Sequence, residues 1–100
     1  MNTFDKVYDL VASVPKGKVT TYGAIAKLLS IDPRVVGFAL HANSDSQTIP
    51  CHRVINSKGE ISSGYAFGGA HIQKQMLGKE GIKFNVENKV DLKKYGYLLS

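Results

Sequence analysis

A single cysteine, Cys51, stands in the run Ile49-Pro50-Cys51-His52-Arg53-Val54, so a thiol, an imidazole and a guanidinium are consecutive in the chain. A buried thiol packs as a small inert hydrophobe, whereas a thiolate is a strong nucleophile. Nucleophilic chemistry at Cys51 needs a lowered thiol pKa, a partner that takes the proton and a shaped pocket. His52 is the adjacent base, but neighbours on a strand point to opposite faces. A Cys–His relay therefore requires a turn or a strand end at Pro50-Cys51. A packed thiol beside an unrelated imidazole is the competing reading of the pair. One cysteine makes no internal disulfide and no Cys-rich zinc site, and no metal is expected.

Further polar and aromatic residues stand around this run in a definite order. Asn43 lies eight residues before Cys51, and Arg34 nine before Asn43. Tyr22 precedes them in Thr20-Thr21-Tyr22-Gly23, and Tyr65, Gly68-Gly69 and Leu77-Gly78-Lys79-Glu80-Gly81 follow. Taken singly, each has an ordinary structural role: a half-buried tyrosine, a helix C-cap at Asn43, a surface arginine. Two placements are less ordinary. Arg34 sits at a helix start and Glu80 near a helix end, where the macrodipole slightly disfavours their charges.

The elements that must hold these residues follow from periodicity and caps. Phe4, Val7, Tyr8, Val11 and Val14 recur at helical spacing, which predicts an amphipathic helix over residues 3–14, capped by Asn2 or Thr3. Thr21 is the expected N-cap of a second helix that buries Ile25, Ala26, Leu28 and Leu29. Asp32-Pro33 opens a third, a capping carboxylate followed by proline at the first helical position, which continues to about Ala42. Two short helices joined at Ser30-Ile31 have the outline of a helix-turn-helix. Residues 43–50 read as a polar loop. Arg53-Val54-Ile55 and Glu60-Ile61 are expected to form a small hairpin around Asn56-Ser57-Lys58-Gly59. A fourth helix runs from about Ala70 to Lys79 with Gly81 as its stop, Ile82-Lys83-Phe84 is a candidate strand, and residues 85–100 form a tail packing back on the body. The expected fold is mostly α with a small β-hairpin, a winged-helix-like helix-turn-helix arrangement in one domain spanning residues 1–100.

Composition sets the outer bounds. The chain has 100 residues, 43% hydrophobic and 21% charged, the profile of an ordinary globular domain. No apolar run approaches the roughly 20 residues of a membrane span, and Met1-Asn2-Thr3-Phe4-Asp5-Lys6 has no signal-peptide pattern. An intracellular setting, cytoplasmic, nucleoid or nuclear, and no membrane partner are the resulting expectations. The formal charge of +5 rests almost wholly on lysine, with Arg34 and Arg53 the only arginines. Such an excess suits a polyanion, although general solubility would explain it too.

The order of these motifs resembles the DNA-binding catalytic domain of the O6-alkylguanine-DNA alkyltransferases. The family signature Pro-Cys-His-Arg-Val stands intact at residues 50–54, and the likeness runs from about Phe4 to Phe84. The resemblance implies that Cys51 irreversibly accepts the alkyl group from O6 of guanine, without a cofactor. His52, through a water, and Glu80 would remove the thiol proton. Asn43 would brace the active-site turn, and Pro50 and Arg53 would fix the loop. Tyr65 would donate a hydrogen bond to the purine, and Tyr22 would press on the target's 3′ phosphate to promote base flipping. Arg34 would fill the gap left by the flipped nucleotide. The recognition helix would lie in the narrow minor groove, which suits small residues such as Gly37 and Ala39. The implied partner is double-stranded DNA containing O6-alkylguanine, bound by a monomer.

The chain departs from the family pattern in three places. The stretch 62–69 is slightly longer than usual, with Ala66 where a pocket serine is common. Gln73 replaces a lysine found in some members, and the N-terminal domain of full-length transferases has no counterpart. The last feature resembles the alkyltransferase-like proteins, which bind alkylated guanine and hand it to nucleotide excision repair proteins without catalysis. Those proteins replace the acceptor cysteine, and Cys51 favours the enzyme. A third reading, a regulator using the helix-turn-helix in the major groove, leaves the Cys51 context and Glu80 without a role.

Overall fold

The computed structural model describes residues 2–45, 47–61 and 69–99. Tyr65, Ala66 and the rest of the glycine-rich stretch 62–68 lie outside the described residues. Among those described, the fold is mostly helical, with five α-helices and one two-stranded sheet. Helix α1 spans Thr3–Ala12, α2 Tyr22–Leu29, α3 Pro33–Ala42, α4 Gly69–Lys79 and α5 Leu92–Tyr95. Strands β1, Thr20–Thr21, and β2, Val54–Ile55, complete the set.

The caps read from the sequence form as expected. Asn2 Oδ1 accepts from Asp5 N at 2.9 Å, Thr21 Oγ1 from Ala24 N at 3.0 Å and Asp32 Oδ1 from Arg34 N at 2.8 Å. Each satisfies an N–H that the helix itself leaves orphaned. Helix α2 closes at Ser30, which takes the left-handed conformation at φ 57°, so the chain turns abruptly into α3. Gly81 stops α4 at φ +95°, where a side chain would be strained.

Helices α1, α2 and α3 pack around one hydrophobic cluster that includes Val7, Val11, Ile25, Val36 and Leu40. Cys51 and Val54 belong to the same cluster, so the reactive run is built into the wall of the helical core. A second cluster, Val19, Ile55, Leu77, Ile82 and Val90, joins the sheet to α4 and the tail.

The expected hairpin does not form. β2 pairs instead with β1, in parallel, with Thr20 opposite Val54 and Thr21 opposite Ile55. Asn56 N still bonds Glu60 O at 3.2 Å, so the turn closes, but residues 60–61 add no strand. The partner of β2 comes from well upstream in the sequence, where Thr20 in β1 and Val19 just before it are buried. The tail then docks on the open side of β1, where Val19 N donates to Tyr95 O at 2.9 Å and Tyr97 N to Val19 O at 2.8 Å. Phe84 forms only an isolated antiparallel bridge to Val90, in place of the candidate strand 82–84. Gly59 receives the tail closely: Val90 N bonds its carbonyl at 2.8 Å, and a side chain at its φ of +81° would run into the Val90 backbone.

Candidate active site and DNA-facing helix

The approach to Cys51 is a sequence of tight turns. Asp45 Oδ1 accepts from Thr48 N at 3.1 Å, and Ile49 N donates to Asp45 O at 3.0 Å. Pro50, at φ −78° and ψ 74°, makes an inverse γ-turn in which Cys51 N donates to Ile49 O at 2.8 Å. Proline fixes φ near the value this turn needs, so the approach is pre-set. Cys51–Arg53 then forms one turn of 3-10 helix. With three residues per turn, successive side chains fan out about 120° apart. This is the turn that a Cys–His relay requires.

The Cys51 side chain accordingly has a different partner from those of His52 and Arg53. Cys51 is 4% exposed, and its Sγ accepts a hydrogen bond from Asn43 Nδ2 at 2.8 Å. Asn43 caps α3 and also donates to Ile49 O at 3.2 Å, while its Oδ1 accepts from Asp45 N at 2.9 Å. It thus bonds both ends of the loop and the thiol. Burial pushes the Cys51 thiol above its ordinary pKa, opposed in part by the Asn43 and backbone hydrogen bonds. The lowered pKa that nucleophilic chemistry needs is therefore not supplied by this geometry alone, so a reaction at Cys51 needs a partner that takes the proton.

His52 and Arg53 converge on Glu80. His52 Nε2 lies 2.7 Å from Glu80 Oε2, and Arg53 bonds the same carboxylate through Nε at 3.0 Å and Nη2 at 2.8 Å. Arg53 Nη1 donates to Val14 O at 2.8 Å, which ties the site to the end of the first helical region. Burial pushes the Glu80 carboxyl up, but the hydrogen bonds and charges of Arg53 and His52 outweigh it and hold the pKa below the ordinary value. An ionised Glu80 accepts from Nε2–H, which assigns the lone pair of the neutral ring to Nδ1. Nδ1 is buried and has no hydrogen-bond partner among the described residues. Glu80 thus fixes the orientation of the His52 ring.

Gln73 is a further member that the motifs did not reveal. It is fully buried on α4, and its Nε2 donates to His52 O at 3.0 Å and Val54 O at 3.1 Å. Gln73 on α4 and Glu80 just past its C-terminal end are seven residues apart, about two helical turns, and reach the same 3-10 turn. Together they grip the 3-10 turn at its backbone and at two of its side chains. The available signal was a polar residue four before Leu77 on a buried stripe, where a charged chain would be hard to place.

The residues expected to meet DNA lie at helix starts and on α3. Tyr22 opens α2 with its ring partly buried against the helical core. The Arg34 side chain is 83% exposed and bonds Asp32 through Nη2 at 2.9 Å and Nε at 3.2 Å. Those hydrogen bonds hold the Asp32 carboxyl below its ordinary pKa. A side chain at Gly37 would meet nothing within 4 Å, so its smallness serves no internal contact. Ala39 does not share that face: it is fully buried, and its carbonyl accepts from Tyr8 OH at 2.7 Å. The expectation that Ala39 lines the groove is corrected accordingly. Tyr65 lies outside the described residues. His41 and His71 are exposed. Among the described residues no group of three or more acidic, histidine or cysteine side chains is placed to hold a metal, and no helix is long and apolar enough to cross a membrane.

Residues 2–82 match the family model described as 6-O-methylguanine DNA methyltransferase, DNA binding domain. A methylated-DNA–protein-cysteine methyltransferase of Methanocaldococcus jannaschii is 43% identical over 82 residues, 80% of this chain and 49% of the relative. The chain thus spans about half the length of that methyltransferase. A DNA base-flipping protein of Escherichia coli is 38% identical over 95 residues, 90% of this chain and 70% of the relative. The crystal structure of Schizosaccharomyces pombe Atl1 in complex with damaged DNA containing O6-carboxymethylguanine superposes with a TM-score of 0.81 at 36% identity, covering 97% of this chain and 98% of that one.

Proposed function

The chain belongs to the family of the 6-O-methylguanine DNA methyltransferase DNA-binding domain, and from that premise we propose that it repairs DNA by moving an alkyl group from O6 of guanine onto Cys51. The target nucleotide is flipped out of a minor-groove complex, with Arg34 in the gap and Tyr22 against the backbone. The Cys51 thiol gives its proton to His52 Nδ1, through a water, as Sγ attacks the alkyl carbon. The S–C bond forms and the C–O6 bond breaks with its electron pair staying on guanine. Tyr65 steadies the departing anion by a hydrogen bond to the purine. Guanine becomes neutral by taking a proton from water, and the His52 imidazolium returns its proton to that water, so the thiol proton ends on guanine. The imidazolium formed beside Glu80 is stabilised by the carboxylate. No cofactor takes part, and the product thioether ends the protein's activity after one turnover. Acting on DNA, it works inside the cell as a single folded unit.

The observation that carries this reading is a thiol held by Asn43 and followed in sequence by a histidine whose Nε2 is taken by Glu80 and whose buried Nδ1 has no hydrogen-bond partner among the described residues. A protein that only sensed the lesion would need neither the thiol nor its base. The sensor reading draws support from a different quarter, the likeness to Atl1 along nearly the full length of both chains. Lesion loss from a duplex oligonucleotide separates the two. Excess O6-methylguanine duplex should lose one lesion per protein molecule and then no more. Lesion-selective binding with every lesion retained would favour the sensor.

A further inference from the structure

We propose that Phe38 is an apolar wedge that stacks on an opened base step beside the flipped nucleotide, one helical turn from Arg34. The proposal rests on the reading that α3, second helix of the α2–α3 pair, is the element that meets DNA. Helix α3 turns Val36, Ala39 and Leu40 into the core. Its other side carries Arg34, Phe38 and His41, spaced i, i+4 and i+7, which is one continuous stripe. Phe38 is 64% exposed, the most open aromatic ring among the described residues.

A scattered exposed apolar residue needs no explanation. Phe38 differs because of its neighbours. Arg34 precedes it on the stripe with its side chain 83% exposed, and Gly37 beside it leaves the backbone open to close approach. A cation and an aromatic ring on one outward helix face match the composition of a surface that grips a nucleic-acid backbone and stacks on bases. A benzyl group gains nothing from a phosphate, so its partner within DNA must be apolar. Four residues of α-helix rise about 6 Å, and successive bases lie about 3.4 Å apart. When Arg34 fills the vacated stack, Phe38 falls one to two base steps away. Apolar side chains that enter there partly unstack the step and kink the duplex, which lowers the cost of extruding the adjacent nucleotide.

The test uses a duplex with one O6-methylguanine and a 2-aminopurine placed one or two steps to either side. Binding of the unaltered protein should raise the fluorescence at one flanking position, because 2-aminopurine brightens when unstacked. Phe38→Ala should bind roughly tenfold more weakly, the loss expected for one aromatic–base stack, and at saturation should lose that rise. Phe38→Leu, still a wedge, should keep part of it, and Arg34→Ala should lose affinity but keep the rise at saturation. Both Phe38 variants should melt as the unaltered protein does, since the ring lies outside the core. Full affinity with an undiminished rise in Phe38→Ala overturns the wedge and leaves the ring to a protein partner. Failure of the unaltered protein to bind lesion DNA overturns the wedge and the repair reading together. Binding and unstacking without alkylation of Cys51 contradicts the transferase reading alone.

Discussion

Replacing Glu80 by glutamine is expected to lower stability by about 3–5 kcal/mol and to slow alkyl transfer about a hundredfold. The carboxylate, 8% exposed, is the single acceptor for His52 Nε2 and for two nitrogens of Arg53. An amide offers one acceptor atom in place of two, so an NH2 group must face an N–H of Arg53 or His52. The guanidinium, 15% exposed, then keeps its charge without its partner. Breaking one side of a buried pair is costly for that reason, and the loss is a large part of the stability of a small domain. The transfer rate falls separately, because the imidazolium formed as the thiol is deprotonated loses its counter-charge.

The pH dependence distinguishes the charge from mere packing. Glu80 has a pKa below its ordinary value of 4.5 in the folded chain. Its contribution is therefore fully present above 4.5 and is lost as pH falls through the lower folded value. Urea unfolding midpoints of the unaltered protein should drop across that acid range, and the part due to Glu80 should be missing in the glutamine variant. Equal acid sensitivity in both would show that the carboxylate contributes no charge-linked stability.

Replacing Asn43 by alanine is expected to cost about 2–4 kcal/mol, from several buried hydrogen bonds lost at once. Ile49 O and Asp45 N would lose their partners, and the loop carrying Cys51 would lose its tie to α3. The thiol would also lose the side-chain bond that opposes the upward push of burial. The pH profile of alkyl transfer should therefore move to higher pH, beyond what a loosened fold alone would cause. A variant that is less stable yet keeps the original pH profile would confine Asn43 to bracing the loop.

How much of this was legible in the sequence depends on how local the cause is. Asn2, Thr21 and Asp32 cap helices through bonds to residues two or three positions on, and Gly81 ends α4 through its own φ. Such features are written in a few adjacent residues. The parallel pairing of β1 with β2 joins residues 20 and 54, and strands of two residues carry no alternation to announce it. Helix α5, four residues long, is too short to show a period. In the site, the chemical types of Cys51, His52, Arg53, Glu80 and Asn43 were visible, as was the need for a turn at Pro50. The upward push on the Cys51 thiol pKa was not, because it follows from burial in the helical core rather than from neighbours in sequence. Gln73 escaped for a similar reason: its role depends on two carbonyls about twenty residues away.

The most direct test is the intact mass of the protein after incubation with an equimolar duplex containing one O6-methylguanine. A gain of one methyl group, mapped by peptide sequencing to Cys51 and absent in Cys51→Ser, is the expected result. Protein of unchanged mass bound tightly to a duplex whose lesion is intact would contradict transfer to Cys51.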